Sequence, residues 1–278
     1  MRGEGLRDLR LPAKAIFEMK RRLVYVLPFF VMSVLPLTGR SAGNMPASGP
    51  AINLVFIGDS ITEGAGVANA ATQAAPVICA HELQTRMPNT PIYFSNQGHC
   101  GSTTVDYAPP GGYFTAAVAA AKKLSADHAG QVVFSIMLGT NDSANSGTNG
   151  APASDSDYHD RLKKIVDQLL AEFPGCKVFV HYPTWYSPNT HNAADYEGAV
   201  ATNRLKSYFA KIDSIAAGDP RVYRGDTEAY EDFAANYKAE LNGEGGHNGI
   251  FYLHPNVIGA EKLGKFWAGA LEKKLNGR

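Results

Sequence analysis

From residue 50 onward, short apolar runs alternate with longer polar–apolar segments. The runs are "AINLVFI" (51–57), "PIYFSN" (91–96), "VVFSIML" (132–138), "CKVFVHY" (176–182) and "RVYRG" (221–225). Around them, apolar residues recur at helical spacing over 70–87, 113–127, 154–173, 192–216 and 256–275. Nearly continuous apolar strands separated by amphipathic helices predict a parallel sheet covered on both faces. The expected fold is therefore α/β: a three-layer, doubly wound, flavodoxin-like sandwich with a five-stranded sheet in the order 2-1-3-4-5. Right-handed crossovers bring the loops that follow the strands to one edge, where such sheets bind ligands. In chain order, the first four of those loops begin with "GDS", "NQGHCG", "GTND" and "PTWYSP". The polar and glycine-rich peculiarities of the chain thus converge on one edge.

The first 43 residues follow another pattern. Lys20, Arg21 and Arg22 precede the apolar run "LVYVLPFFVMSVLPL" (23–37), and small and polar residues follow it. A basic cluster, a short apolar core and a small-residue exit predict a secretory signal peptide over about 19–43, with Ser41 and Gly43 before the cut. The run is short for a membrane span and contains Pro28 and Pro36, so no stable membrane insertion is expected. The expected localisation is secreted or periplasmic. Met19 directly precedes the basic cluster, so translation is expected to start there, with residues 1–18 an upstream segment. Residues 44–278 are expected to form the single functional domain.

Cleavage changes the charge balance. The whole chain has 26 basic and 26 acidic residues, and 8 and 3 of them lie in residues 1–43. The remainder holds 18 basic and 23 acidic residues, a net charge of about −5 with no basic run. That balance argues against nucleic acid as a partner. Cys79, Cys100 and Cys176 are too few and scattered for a disulfide framework or zinc cluster. In an exported chain Cys79 and Cys100 are the candidate bridging pair; the other reading makes all three buried small apolar residues. The acidic stretch "SDSDYHD" (154–160) reads as the start of a helix, favourable to its dipole, rather than as a metal site. Neither metal nor cofactor is expected.

The first strand ends in "GDSITEGAG" (58–66). A phosphate-binding loop needs Lys and then Ser or Thr after its last glycine, and the dinucleotide fingerprint needs G-x-G-x-x-G. Neither is present, and Asp59 and Glu63 would repel a polyphosphate. A serine at a strand-to-helix junction instead presents its hydroxyl at the sheet edge, as a nucleophile does. His254, just ahead of a helix that starts near Pro255, would hang over the same edge as a general base.

These residues resemble the GDSL, or SGNH, hydrolases. "FIGDSITEG" is similar to the family's first block, "NQGHCGSTT" (96–104) to its glycine block, "GTND" (139–142) to its asparagine block and "HPNVIGA" (254–260) to its histidine block. The blocks stand in the family's order. The resemblance implies a serine esterase without metal or cofactor, with Ser60 as nucleophile and His254 as base. It implies an oxyanion hole made by the Ser60 and Gly101 backbone N–H groups and the Asn141 amide. Gly98 competes with Gly101, and Asn141 also reads as a turn residue. Asp59 and Thr62 are expected to cap the next helix or tie the loop. His99 reads as a solvated loop residue that could touch substrate.

One position departs from the family pattern. The acid that orients the histidine usually stands three residues before it, and here that residue is Phe251. Three readings follow. The Phe251 carbonyl could hold the imidazole in a Ser–His dyad; Glu244 or Asp226 could supply a displaced carboxylate; or catalysis could have been lost, leaving a glycan-binding protein. The retained serine, donors and histidine favour an active enzyme.

The expected substrate is a small or polysaccharide ester, O-acetyl on carbohydrate first, because "PTWYSPN" and "NGEGGHNGIFYLHPN" would supply aromatic platforms such as Trp185 and Tyr252. Core packing is the other reading of those two rings. A lipase or lysophospholipase activity is the alternative within ester hydrolysis.

Overall fold

The computed structural model describes residues 49–276. The expected signal peptide and upstream segment lie outside the described residues. Five parallel strands form the central sheet: β1 (Ala51–Gly58), β2 (Ile92–Gly98), β3 (Gly130–Met137), β4 (Lys177–Val180) and β5 (Val222–Arg224). Their order is β2-β1-β3-β4-β5, as the alternating pattern predicts. Helices α1 (Ser60–Glu63), α2 (Ala70–Gln73) and α3 (Ala75–Arg86) follow β1. Helix α4 (Gly112–Asp127) follows β2, α5 (Asp155–Glu172) follows β3 and α6 (Gly198–Gly218) follows β4. After β5 come α7 (Ala229–Glu240), the antiparallel pair β6 (Leu241–Gly246) and β7 (Gly249–Pro255), and finally α8 (Val257–Leu275).

Alternation along β1 divides the core into two layers. Val55 and Ile57 face one side, with Phe134, Ile136, Val178 and Val180, against Ala117, Leu162, Ile165, Leu205 and Tyr208. Leu54 and Phe56 face the other, with Val133 and Phe179, against Leu83, Leu263, Trp267 and Leu271. All of these side chains are buried. Both faces being covered is why β1, β3 and β4 read as nearly continuous apolar runs.

The helix expected over 70–87 is two. Pro76 stands in the first turn of α3, where its missing N–H costs no helical bond, and Ala74 between the two helices is extended. The helix expected from 192 begins only at Gly198. Asn192 accepts the Ala194 N–H and Asp195 accepts the Glu197 N–H, turns that compete with helix. The three cysteines are free, so the Cys79–Cys100 bridge does not form. Cys79 is buried on α3 among Leu83 and Trp267, whereas Cys100 lies in an exposed turn after β2.

Candidate active site

Asp59 sets the position of Ser60. Its carboxylate accepts the Ile61 N–H at 3.0 Å and caps α1, so the chain turns sharply from strand to helix at the serine. The turn is tight because Gly58 has no side chain: a Cβ there would come within 2.0 Å of Thr62 Oγ1 and 2.7 Å of the Met137 carbonyl. Burial pushes the Asp59 carboxyl up to about 6, opposed by the Ile61 N–H and the nearby His254.

Ser60 Oγ lies 2.9 Å from His254 Nε2. On the other side of the imidazole, Nδ1 lies 2.9 Å from both Glu244 carboxylate oxygens, and the His254 backbone N–H donates to Glu244 Oε1 at 3.1 Å. A carboxylate accepts, so Nδ1 carries the proton and the Nε2 lone pair is left facing the serine hydroxyl. An imidazole held this way can take a hydroxyl proton and return it to a leaving group.

The β6–β7 pair builds this contact. Leu241 opposes Pro255 and Gly243 opposes Tyr252, so Asn242 faces two residues, Leu253 and His254. Such a bulge re-aims a side chain. Asn242 Nδ2 reaches the carbonyls of Gly66, His254 and Pro255 at 2.9, 3.3 and 3.3 Å, tying the hairpin to the loop after α1. Gly66, at φ +98°, admits that approach, since a Cβ would sit 2.6 Å from Asn242 Nδ2 and 2.7 Å from the Pro255 carbonyl.

Two corrections follow for the histidine's partner. Asp226 does not face His254: it accepts the Glu228 and Ala229 N–H groups at the start of α7. Its own N–H donates to Nδ1 of His181, which lies in the core with its pKa pushed down to about 3 by burial. The dyad through the Phe251 carbonyl is also not formed, because Glu244 occupies Nδ1. Phe251 is core, 1% exposed. Glu244 is a half-buried strand residue, and it pairs directly across from Phe251. The carboxylate that meets Nδ1 thus stands on the strand next to the one that carries His254.

The donors expected at the oxyanion position lie on loops that are tied together. Asn96 Nδ2 donates to the Thr62 carbonyl at 2.8 Å, the Cys100 N–H to Glu63 Oε2 at 2.6 Å and the His99 N–H to the Gly58 carbonyl at 3.0 Å. The Gly98 N–H is already donated to Asn96 Oδ1 at 2.9 Å. Among the described residues no internal acceptor takes the N–H of Gly101 or of Ser60. Gly101 needs glycine for its backbone, at φ +75°, rather than for a close approach, because a Cβ there would meet nothing within 4 Å. Asn141 is buried and oriented at both ends: Nδ2 donates to the Ser102 carbonyl at 2.9 Å, and Oδ1 accepts from Tyr196 Oη at 2.5 Å. One amide hydrogen remains free.

Sequence reasoning passed over Asp142, which follows Asn141. Its carboxylate accepts the Thr104 N–H at 3.1 Å and the Thr104 hydroxyl, locking the glycine loop to the asparagine loop. Burial pushes it up to about 6, as it does Asp226. Asp59, Asp142 and Asp226 therefore hold protons in the folded chain at pH values where an unfolded Asp, near 3.8, has lost them. Across that window the native state binds more protons, so stability falls as pH rises from about 4 to about 6. Thermal melts at a series of pH values should give a midpoint that declines over this range, less steeply in Asp142→Asn.

Trp185 and Tyr252 do not form an open aromatic platform. Both rings pack on Tyr237, with centroids 5.3 and 4.7 Å away. A different pair stands beside the glycine loop: His99 stacks on Tyr113 at 4.1 Å, and Tyr113 is 39% exposed. Burial lowers the His99 pKa, which favours a neutral ring.

The sequence model of the GDSL-like lipase/acylhydrolase family matches residues 56–262, a span that holds Ser60, Gly101, Asn141, Glu244 and His254. The chain belongs to this family. It is an ester hydrolase of the GDSL type. Among solved structures, it is similar to an acetylxylan esterase from Geobacillus stearothermophilus, at 19% identity and TM-score 0.53, covering 83% of this chain and 96% of that one. It is also similar to the M. smegmatis aryl esterase, at 17% identity and TM-score 0.54, over 81% and 99% of the two chains. An α/β hydrolase from the metagenome of Lake Arreo matches at 20% identity and TM-score 0.53, over 82% and 96%. At these identities the likeness is one of fold. Comparison with curated protein sequences gave no significant match.

Proposed function

We propose that this GDSL hydrolase is an exported esterase that removes small acyl groups, O-acetyl first, from carbohydrate. The observation that carries the chemistry is the continuous chain of contacts from Ser60 Oγ through the His254 imidazole to the Glu244 carboxylate. In this reading Ser60 attacks the acyl carbon as His254 Nε2 takes its proton. The tetrahedral oxyanion is held by the Ser60 and Gly101 N–H groups and the free Asn141 amide hydrogen. His254 then protonates the leaving sugar oxygen, and a water deprotonated by His254 releases acetate and restores the serine.

Two features support an acetylated sugar. The exposed Tyr113 face on the His99 stack is an aromatic surface beside the glycine loop, suited to an apolar sugar face. The acetylxylan esterase of like fold gives the same direction. Among the described residues no helix is long and apolar enough to cross a membrane. The export reading rests on residues 19–43 alone.

The test is acetate release from acetylated xylan beside hydrolysis of p-nitrophenyl acetate, butyrate and octanoate. Acetyl preference with release from the polysaccharide supports the proposal. Preference for octanoate, with none released from xylan, would move the enzyme to the lipase side of the family. Asn141→Ala should lower kcat by about 10²–10³-fold with KM little changed, as for loss of one oxyanion donor.

A further inference from the structure

Far from Ser60 in sequence, three ligating side chains meet where the β6–β7 turn docks on the loop ahead of α6. His191 lies in that loop, Glu197 stands just before α6, and His247 is in the turn. One nitrogen from each histidine and a carboxylate oxygen all lie within 4.8 Å of one another. We propose that His191, Glu197 and His247 form a zinc-binding site that clamps the hairpin to the body of the fold.

The donor set is the first argument. Two imidazoles and one carboxylate are a common first shell for Zn²⁺, while Mg²⁺ and Ca²⁺ prefer oxygen alone. Geometry is the second. Tetrahedral zinc with bonds of about 2.0–2.1 Å holds its ligands about 3.3 Å apart, and His191 Nδ1 lies 3.3 Å from Glu197 Oε1. The same Nδ1 is buried and, among the described residues, makes no hydrogen bond, so a potential ligand atom stands beside a carboxylate without a partner. A cation placed between them would take both as ligands.

The third argument is that the backbone is already built around the cluster. The His247 N–H donates to the His191 carbonyl at 3.0 Å. A Cβ on Gly246 would come within 2.5 Å of that carbonyl, so glycine is required for the turn to seat. Asn248 Nδ2 donates to Glu197 Oε1 at 2.5 Å, fixing the carboxylate. His247 is exposed, which leaves an entry path and a fourth position for water.

The test uses the mature chain, stripped with EDTA and titrated with ZnCl₂ by calorimetry. One equivalent should bind. At about a hundredfold excess over Kd the melting midpoint should rise by roughly 5–10 °C, and amide exchange in residues 241–255 should slow. His247→Ala, an exposed change that leaves folding intact, should abolish both effects, as should Glu197→Gln. MgCl₂ should do neither. No binding by the wild type would overturn the proposal, and so would zinc binding or stabilisation that survives His247→Ala. Because none of these readouts requires ester turnover, the result is independent of the substrate assigned above.

Discussion

Ser60→Ala is expected to lower kcat for p-nitrophenyl acetate by about 10⁴–10⁶-fold while leaving KM within a few-fold of wild type. At the end of β1 the structure sets this hydroxyl 2.9 Å from the imidazole nitrogen of His254. In the proposed mechanism its removal takes away the acyl acceptor itself, whereas the backbone donors and Asn141 stay. What remains is the rate that an oxyanion site and bound water give, well above the uncatalysed reaction and far below the enzyme. The substitution should not disturb folding, because α1 is capped by Asp59 and closed by Gly64 rather than by the serine side chain. A thermal melt of the variant should therefore overlay the wild type. Turnover above about one hundredth of wild type in a matching fold would require a different nucleophile.

The legible parts of this protein are those whose residues answer to local rules. Strands buried on both faces had to be apolar at nearly every position, so β1, β3 and β4 can be read directly, while the partly buried edge strands β2 and β5 show through their β-branched and aromatic residues; the order is one common to doubly wound sheets. The hairpin is different. β6 is "LNGEGG", with three glycines and one apolar residue, a composition that speaks against a strand. It exists because β7 pairs with it and Asn242 pins it to Gly66. Helix α7 was missed as well, since its buried stripe is only Ala229, Tyr230, Phe233 and Glu240. Spacing along the chain also misleads at the histidine. A search three residues upstream of His254 finds Phe251, while the acid stands across the ladder from that residue. Sequence distance does not encode cross-strand neighbours, so Glu244 could only be a candidate beside Asp226. The His191, Glu197 and His247 cluster is hidden for the same reason: two loops distant in sequence meet only when the turn docks.

The partner of His254 carries the second large effect. Glu244→Gln is expected to lower kcat by about 10³–10⁴-fold with little change in KM, because the glutamine amide can donate to Nδ1 and stabilise the tautomer whose Nε2 carries a proton. A histidine in that state cannot accept from Ser60. Glu244→Asp keeps the charge on a shorter arm and should recover part of the loss, which a merely structural role at a half-buried strand position would not require. Phe251 separates the two explanations of the departed acid. Phe251→Leu keeps an apolar side chain in the core and should cost stability but less than about tenfold in kcat, since the hydrogen bonds that link Ser60, His254 and Glu244 involve no atom of the ring. Phe251→Asp, which restores the family's residue by number, should fail to rescue Glu244→Gln. Position 251 is 1% exposed and packed against Gly246, so a carboxylate there is buried without a partner and unfolds the hairpin instead. Full activity in Glu244→Gln would contradict this account and return the Phe251 carbonyl to consideration. A collapse confined to kcat would establish that the orienting acid had moved one strand over, with its carboxylate charge still facing Nδ1.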